Sequence, residues 1–164
     1  MLWLALHFPC LPPDALAPIA AWACQFTPKV SLEPPQSLLA EVEGSLRYFG
    51  GRDAFIERLR RGMAELGFEC ALGVAATPRA ALWLARSGSA TLEEAPLDRI
   101  FPDPGFFRSI GVSTVGELLG LPREGLAQRC GQGLIDQLDR VLGAAPEARE
   151  FFAPPACFDA TLEL

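Results

Sequence analysis

Residues 2–8, LWLALHF, carry no polar side chain before His7 and end at Pro9. A short apolar run closed by a proline predicts a central strand covered on both faces. From 14 to 24 the apolar positions Leu16, Ile19, Ala20, Ala23 and Cys24 recur at helical spacing, Pro18 suits a first turn, and Thr27-Pro28 ends the element. Two short strands follow and meet at Pro34-Pro35, because neither proline can donate to a ladder and each holds its predecessor extended. In the second, residues 38–42, period-two alternation puts Leu38, Ala40 and Val42 on one face and Leu39 and Glu41 on the other.

The Gly50-Gly51 turn releases the chain into a helix over 53–66, with Asp53 as its cap and Phe55, Ile56, Leu59, Met63 and Leu66 as its apolar stripe. Gly67 supplies a left-handed stop. Arg58, Arg60 and Arg61 fall on outer positions and read as a solvated face, with Glu57 one turn before Arg61. Residues 68–74 alternate again and predict a strand, and Thr77-Pro78, a cap and a first-turn proline, opens a helix that runs to Ser87-Gly88. The order strand, helix, strand, strand, helix, strand is that of a split βαβ, or ferredoxin-like, unit. After Gly88 the texture changes. Residues 89–105, with Pro96, Pro102 and Pro104, read as a linker, and only helical signals follow. These are a capping box at Thr114 and Glu117, a helix from Leu121-Pro122 to Gly131, and a stripe of Leu134, Ile135, Leu138, Val141 and Leu142. The expected fold class is α+β: a ferredoxin-like βαββαβ unit over 1–90, a small all-α unit over 91–153, and the beginning of another domain over 154–164.

Composition narrows the chemistry. Half of the 164 residues are apolar, enough for a buried core. Twenty acidic against 14 basic residues give a net charge of −6, and with a pI near 4.8 this argues against indiscriminate binding to nucleic acid. Any contact with DNA has to be local. The five cysteines are scattered with no CxxC pair, and His7 is the one histidine, so reduced thiols in a cytoplasmic protein are expected and a zinc site is not. The apolar start has no basic leader and is broken by Pro9, Pro12 and Pro13, so neither a signal peptide nor a membrane span is expected.

Several words carry a resemblance. VSLEPP at 30–35, LLAEVEGSLR at 38–47 and FGG at 49–51 resemble the palm of ImuB-type proteins, a branch of the Y-family DNA polymerases associated with translesion synthesis. Trp22, Ala23, Phe26, Thr27 and Pro28 extend the match upstream. The resemblance implies a palm in which active members hold two divalent metals on an Asp from the first strand and an Asp-Glu pair before the strand after the corner. In register, those three positions are His7, Gln36 and Ser37. An imidazole, an amide and a hydroxyl bring no negative charge, whereas magnesium is usually held by carboxylates together with substrate phosphates. GVAATPRAALWLA at 73–85 resembles the palm word whose lysine reaches the nucleotide triphosphate, and Pro78 stands at the lysine position beside Arg79. The fingers subdomain, which lies between the first strand and the WAxxFTP word in such proteins, is missing here.

Residues 106–116, FFRSIGVSTVG, place Gly111 between two short helices and resemble the helix-hairpin-helix of Y-family thumbs. There, backbone N–H groups and helix N-termini meet DNA phosphates without reading bases. On that resemblance Arg108, Gly111, Val112, Thr114, Gly116 and Arg123 are DNA-binding candidates; a helical hairpin packed for its own sake is the other reading of the same residues. PPACFDATLEL at 154–164 resembles the start of the little-finger domain, so the clamp-binding segment found further on in such proteins is expected to lie outside this chain. The resemblance implies a non-catalytic, polymerase-like factor of the bacterial SOS response and DNA repair. Its expected partners are weakly held damaged or primer-template DNA together with a translesion polymerase and accessory proteins. Two alternatives stay open: a residual, magnesium-dependent nucleotidyltransferase, and a partner-dependent interaction module. No catalytic residue, metal ligand or cofactor is assigned under the first reading.

Overall fold

A computed structural model describes residues 1–155. Strands β1 (Trp3–His7), β2 (Val30–Glu33), β3 (Ser37–Glu41) and β4 (Ala71–Ala75) form one antiparallel sheet in the order β2-β3-β1-β4. Helix α1 (Leu16–Ala23) carries the chain from β1 over β3 to β2, and α3 (Arg52–Leu66) carries it from β3 over β1 to β4. Each connection skips one strand, which is what a split βαβ order requires. A single turn, α2 (Glu43–Leu46), leads out of β3, and α4 (Pro78–Ser87) follows β4.

Alternation along the strands sorts the sheet into two faces. Leu4, Leu6, Val30, Leu38 and Val42 pack with Leu16, Ile19, Ala20 and Ala23 of α1 and with Phe55, Leu59 and Met63 of α3. Trp3, Ala5 and Leu39 point the other way, against Ala81, Leu82 and Ala85 of α4. The approach of α4 to β4 is close enough that a Cβ built on Gly73 would lie 2.1 Å from the Ala81 carbonyl oxygen. Glycine is required there because backbone meets backbone. The opening of α4 is as its sequence dictates: Thr77 Oγ1 accepts from the Ala80 amide at 3.2 Å, and Pro78 occupies the first turn.

The helical half comprises α5 (Leu97–Ile100), α6 (Gly105–Ser109), α7 (Val115–Leu119), α8 (Arg123–Cys130) and α9 (Gln132–Leu142). Its core joins Leu97, Phe107, Val115, Leu118, Leu126, Leu134, Ile135 and Leu138 to Ala80 and Trp83 of α4. Helix α4 therefore serves the helical core and the sheet face opposite α1 and α3. Thr77 adds a direct tie, donating from Oγ1 to the Val141 carbonyl at 2.9 Å.

Four sequence expectations need correction. The supposed linker at 89–105 contains α5, buries Ala95, Leu97 and Ile100, and bridges Pro96 to Thr114. One turn of helix is too short to show a period. Gly51 rather than Asp53 caps α3, and Asp53 lies in its first turn. Strand β4 begins at Ala71, three positions later than the alternation suggests. Leu142 ends the α9 stripe but is 52% exposed, because the chain turns away at Gly143 in the left-handed region. Most of the expected third domain, residues 156–164, lies outside the described residues. Among those described, no helix is long and apolar enough to cross a membrane.

Candidate functional site

The pairing register builds a polar row across three strands. His7 of β1 stands opposite Ser37 of β3, and Ser37 stands opposite Glu33 of β2. All three belong to the alternation class of Trp3, Ala5 and Leu39, so they share the face that α4 covers. His7 Nδ1 and Ser37 Oγ are 2.9 Å apart, and Ser37 is buried. The His7 imidazole is pushed below its ordinary value, first by burial and then by the nearby Arg86 guanidinium. Two of the three expected metal positions thus satisfy each other. The third, Gln36, points away from the row and donates from Nε2 to the Pro9 carbonyl at 3.3 Å.

Glu33 is the one carboxylate in the row, and it is already held. Arg149 Nη2 lies 2.5 Å from Glu33 Oε2, and Arg79 Nη1 of α4 lies 3.8 Å from Oε1. Arg149 also donates to Ser31 Oγ at 3.0 Å and to the Leu32 carbonyl at 3.2 Å. Glu147 completes the group, paired with Arg79 and 3.6 Å from Arg149. The Arg149 and Glu147 side chains are only 9% and 8% exposed. A buried pair of this kind tolerates loss of a partner poorly, because the remaining charge stays desolvated.

The other nearby acids are engaged elsewhere. Glu41 lies at the far end of β3, opposite Trp3, where it holds Lys29 at 3.2 Å and accepts the Glu43 amide at 3.0 Å. Pro78, at the triphosphate-lysine position, is an N-terminal helix residue with no charge to offer. Among the described residues no three His, Cys, Asp or Glu side chains gather as a metal site would need. An imidazole bonded to a hydroxyl, beside a carboxylate bonded to one guanidinium and ion-paired with a second, does not fit a divalent magnesium ion, which is held by free oxygen ligands.

The hairpin candidates come together in a second place. Helices α6 and α7 flank a turn in which Gly111 has φ +75°, a left-handed value suited to glycine. The amides in the turn face inward: Gly111 donates to the Arg108 carbonyl at 3.1 Å, Val112 to Phe107 at 2.9 Å, Val115 to Ala95 at 3.0 Å and Gly116 to Glu93 at 3.0 Å. Ser113 donates to Glu117 Oε2 at 3.0 Å, and Thr114 caps α7 by accepting the Glu117 amide at 3.3 Å. Gly116 is explained by that inward contact, since an added Cβ would lie 3.0 Å from the Glu93 carbonyl. Val112 is buried, whereas Arg108 and Arg123 remain exposed, within 3.9 Å of Asp98 and 2.5 Å of Asp139 respectively.

The sequence pattern does not disclose the group formed by Glu33, Arg79, Glu147 and Arg149. Glu33 on the strand face that α4 covers is the available signal, since a half-buried carboxylate needs a partner.

No family model matches the chain. Protein ImuB of Caulobacter vibrioides, in strains NA1000 / CB15N and ATCC 19089 / CIP 103742 / CB 15, is 31% identical over 162 residues. The match takes in 90% of this chain but 35% of that protein, so the chain spans about a third of the length of these relatives. Among solved structures, the Dbh ternary complex superposes with a TM-score of 0.66 at 11% identity, covering 92% of this chain and 69% of that one. DinB from Sulfolobus solfataricus superposes at 0.60 with 15% identity, covering 84% and 47%. Identity that low speaks for the fold, and the sequence match speaks for descent. Over nine-tenths of its length, then, this chain is similar to about a third of Protein ImuB, and its fold is that of DinB and Dbh.

Proposed function

We propose that the chain is a non-catalytic, polymerase-like factor in DNA damage tolerance and translesion synthesis, acting through DNA backbone contacts and protein association. On this reading the sheet unit is a palm without fingers and the helical half is a thumb. The observation that carries it is the state of the row. His7 and Ser37 bond each other, and Glu33 is matched by Arg79 and Arg149. Phosphoryl transfer by this family depends on metal ions and on positioning of the triphosphate, and neither finds free ligands here. Contact with DNA falls to Arg108 and Arg123, with Gly111, Val112, Thr114 and Gly116 shaping the turn that presents them. Two guanidiniums in an acidic chain give weak, salt-sensitive binding. Protein partners, a translesion polymerase and its accessories, supply the rest of the affinity.

Primer extension on a damaged and an undamaged template, with magnesium or manganese, tests the reading. No extension is expected with this chain alone. Templated extension that Glu33→Ala abolishes would establish the residual nucleotidyltransferase in its place. Retention of primer-template DNA at low salt, abolished when both arginines are replaced, is the positive arm.

A further inference from the structure

We infer that residues 144–152 form a latch whose guanidinium replaces the mobile cation that a carboxylate in this row would otherwise attract. The segment leaves α9 and crosses to the outer edge of the sheet. There the Phe152 amide donates to the Val30 carbonyl at 2.6 Å, and Arg149 takes the Leu32 carbonyl at 3.2 Å. These two outward carbonyls belong to the edge strand β2, so the latch covers an edge that would otherwise be unpaired. Phe152 packs against the same core as α1 and α3, which fixes the end of the segment.

The charges follow from that path. Glu33 belongs to the sheet, Arg79 to α4, and Glu147 and Arg149 to the latch, so the group joins segments separated by as many as 116 positions. Arg86 of α4 also lies close enough to interact with Glu33 and Arg79, so two carboxylates face three guanidiniums and the group needs no cation from solvent. Closing the latch and binding a divalent cation at Glu33 are mutually exclusive, because a cation brought to Glu33 would have to displace Arg149. The inference goes beyond the proposed function: it holds whether or not the chain contacts DNA.

Hydrogen exchange and manganese titration on the full 164-residue chain test it, with the Mn²⁺ ion alone as the probe. Arg149→Ala should speed exchange of the Phe152 amide about tenfold or more while leaving β1 amides protected, as expected for loss of a buried charge partner. The same variant should bind Mn²⁺ about tenfold more tightly than the parent, and adding Glu33→Gln should remove that gain. Unchanged Phe152 exchange, equal Mn²⁺ affinity in parent and variant, or a gain that survives Glu33→Gln would each overturn the latch. If Arg149→Ala loses β1 protection, Arg149→Gln provides the same readouts with the guanidinium removed and most of the side-chain length kept. Failure of the latch would appear in these measurements and leave primer extension untouched, so the two readings fail separately.

Discussion

The polar row and the hairpin turn are both places where the family resemblance leads one to expect a charged ligand, a cation at the first and a phosphate at the second. Each is answered from within the chain, but by different means. At the row the answer is side chains from three segments, Glu33 against Arg79 and Arg149. At the hairpin it is backbone, with the Val115 and Gly116 amides donated to the carbonyls of Ala95 and Glu93. Side-chain closure is undone by a substitution; backbone closure survives most of them. The row is therefore where sequence change alters chemistry, and the hairpin is where it alters only the charges displayed.

The largest effect should come from breaking the row. Glu33→Ala strands two guanidiniums with only Glu147 left between them, and urea denaturation should register a loss of about 3 kcal/mol. Removing both sides should cost less: Glu33→Leu with Arg149→Leu is expected to be more stable than Glu33→Leu alone, since no orphaned charge remains. Additive losses in that double-mutant cycle would show that the group is not coupled.

At the hairpin, Gly116→Ala should lose about 1 to 3 kcal/mol by forcing a methyl group against the Glu93 carbonyl, with thermal melting as the readout. A neutral outcome would mean that the turn has room to open toward a phosphate. Smaller still is the display of charge. Replacing Arg108 and Arg123 by alanine should flatten the dependence of log affinity on log salt for duplex DNA, by about 0.9 for each phosphate no longer neutralised.

The smallest effect concerns His7. Burial and Arg86 hold its folded value below 6.5, so the unfolded chain binds the proton more readily. Stability should be unaffected by this group above that value and should fall as the pH drops below it, reaching its full loss beneath the folded value. His7→Gln should remove that part of the acid slope in melts taken at stepped pH.

Local signals made much of this legible. The Pro34-Pro35 corner, the Thr77-Pro78 helix start and the alternation of Leu38, Leu39 and Ala40 each name a structure that one stretch of chain decides for itself. The same words placed His7 and Ser37 at corresponding positions, and the sheet brings them into contact across 30 residues. What escaped was decided at long range. Nothing near Arg149 in the sequence points to Ser31 and Glu33, and Glu147 and Arg79 are 68 positions apart. Nor does the proline-rich composition around Pro96 reveal that Ala95, Leu97 and Ile100 are buried, because a four-residue helix has no period to detect.

Helix α4 has a consequence for how the molecule comes apart. Every residue from Pro78 to Ser87 except its two arginines is buried, with Leu82 turned to the sheet and Trp83 to the helical half. The helical half and the sheet face opposite α1 and α3 both lose packing once this element is gone, so the chain should melt in one step, with tryptophan fluorescence and far-ultraviolet dichroism giving superimposable transitions.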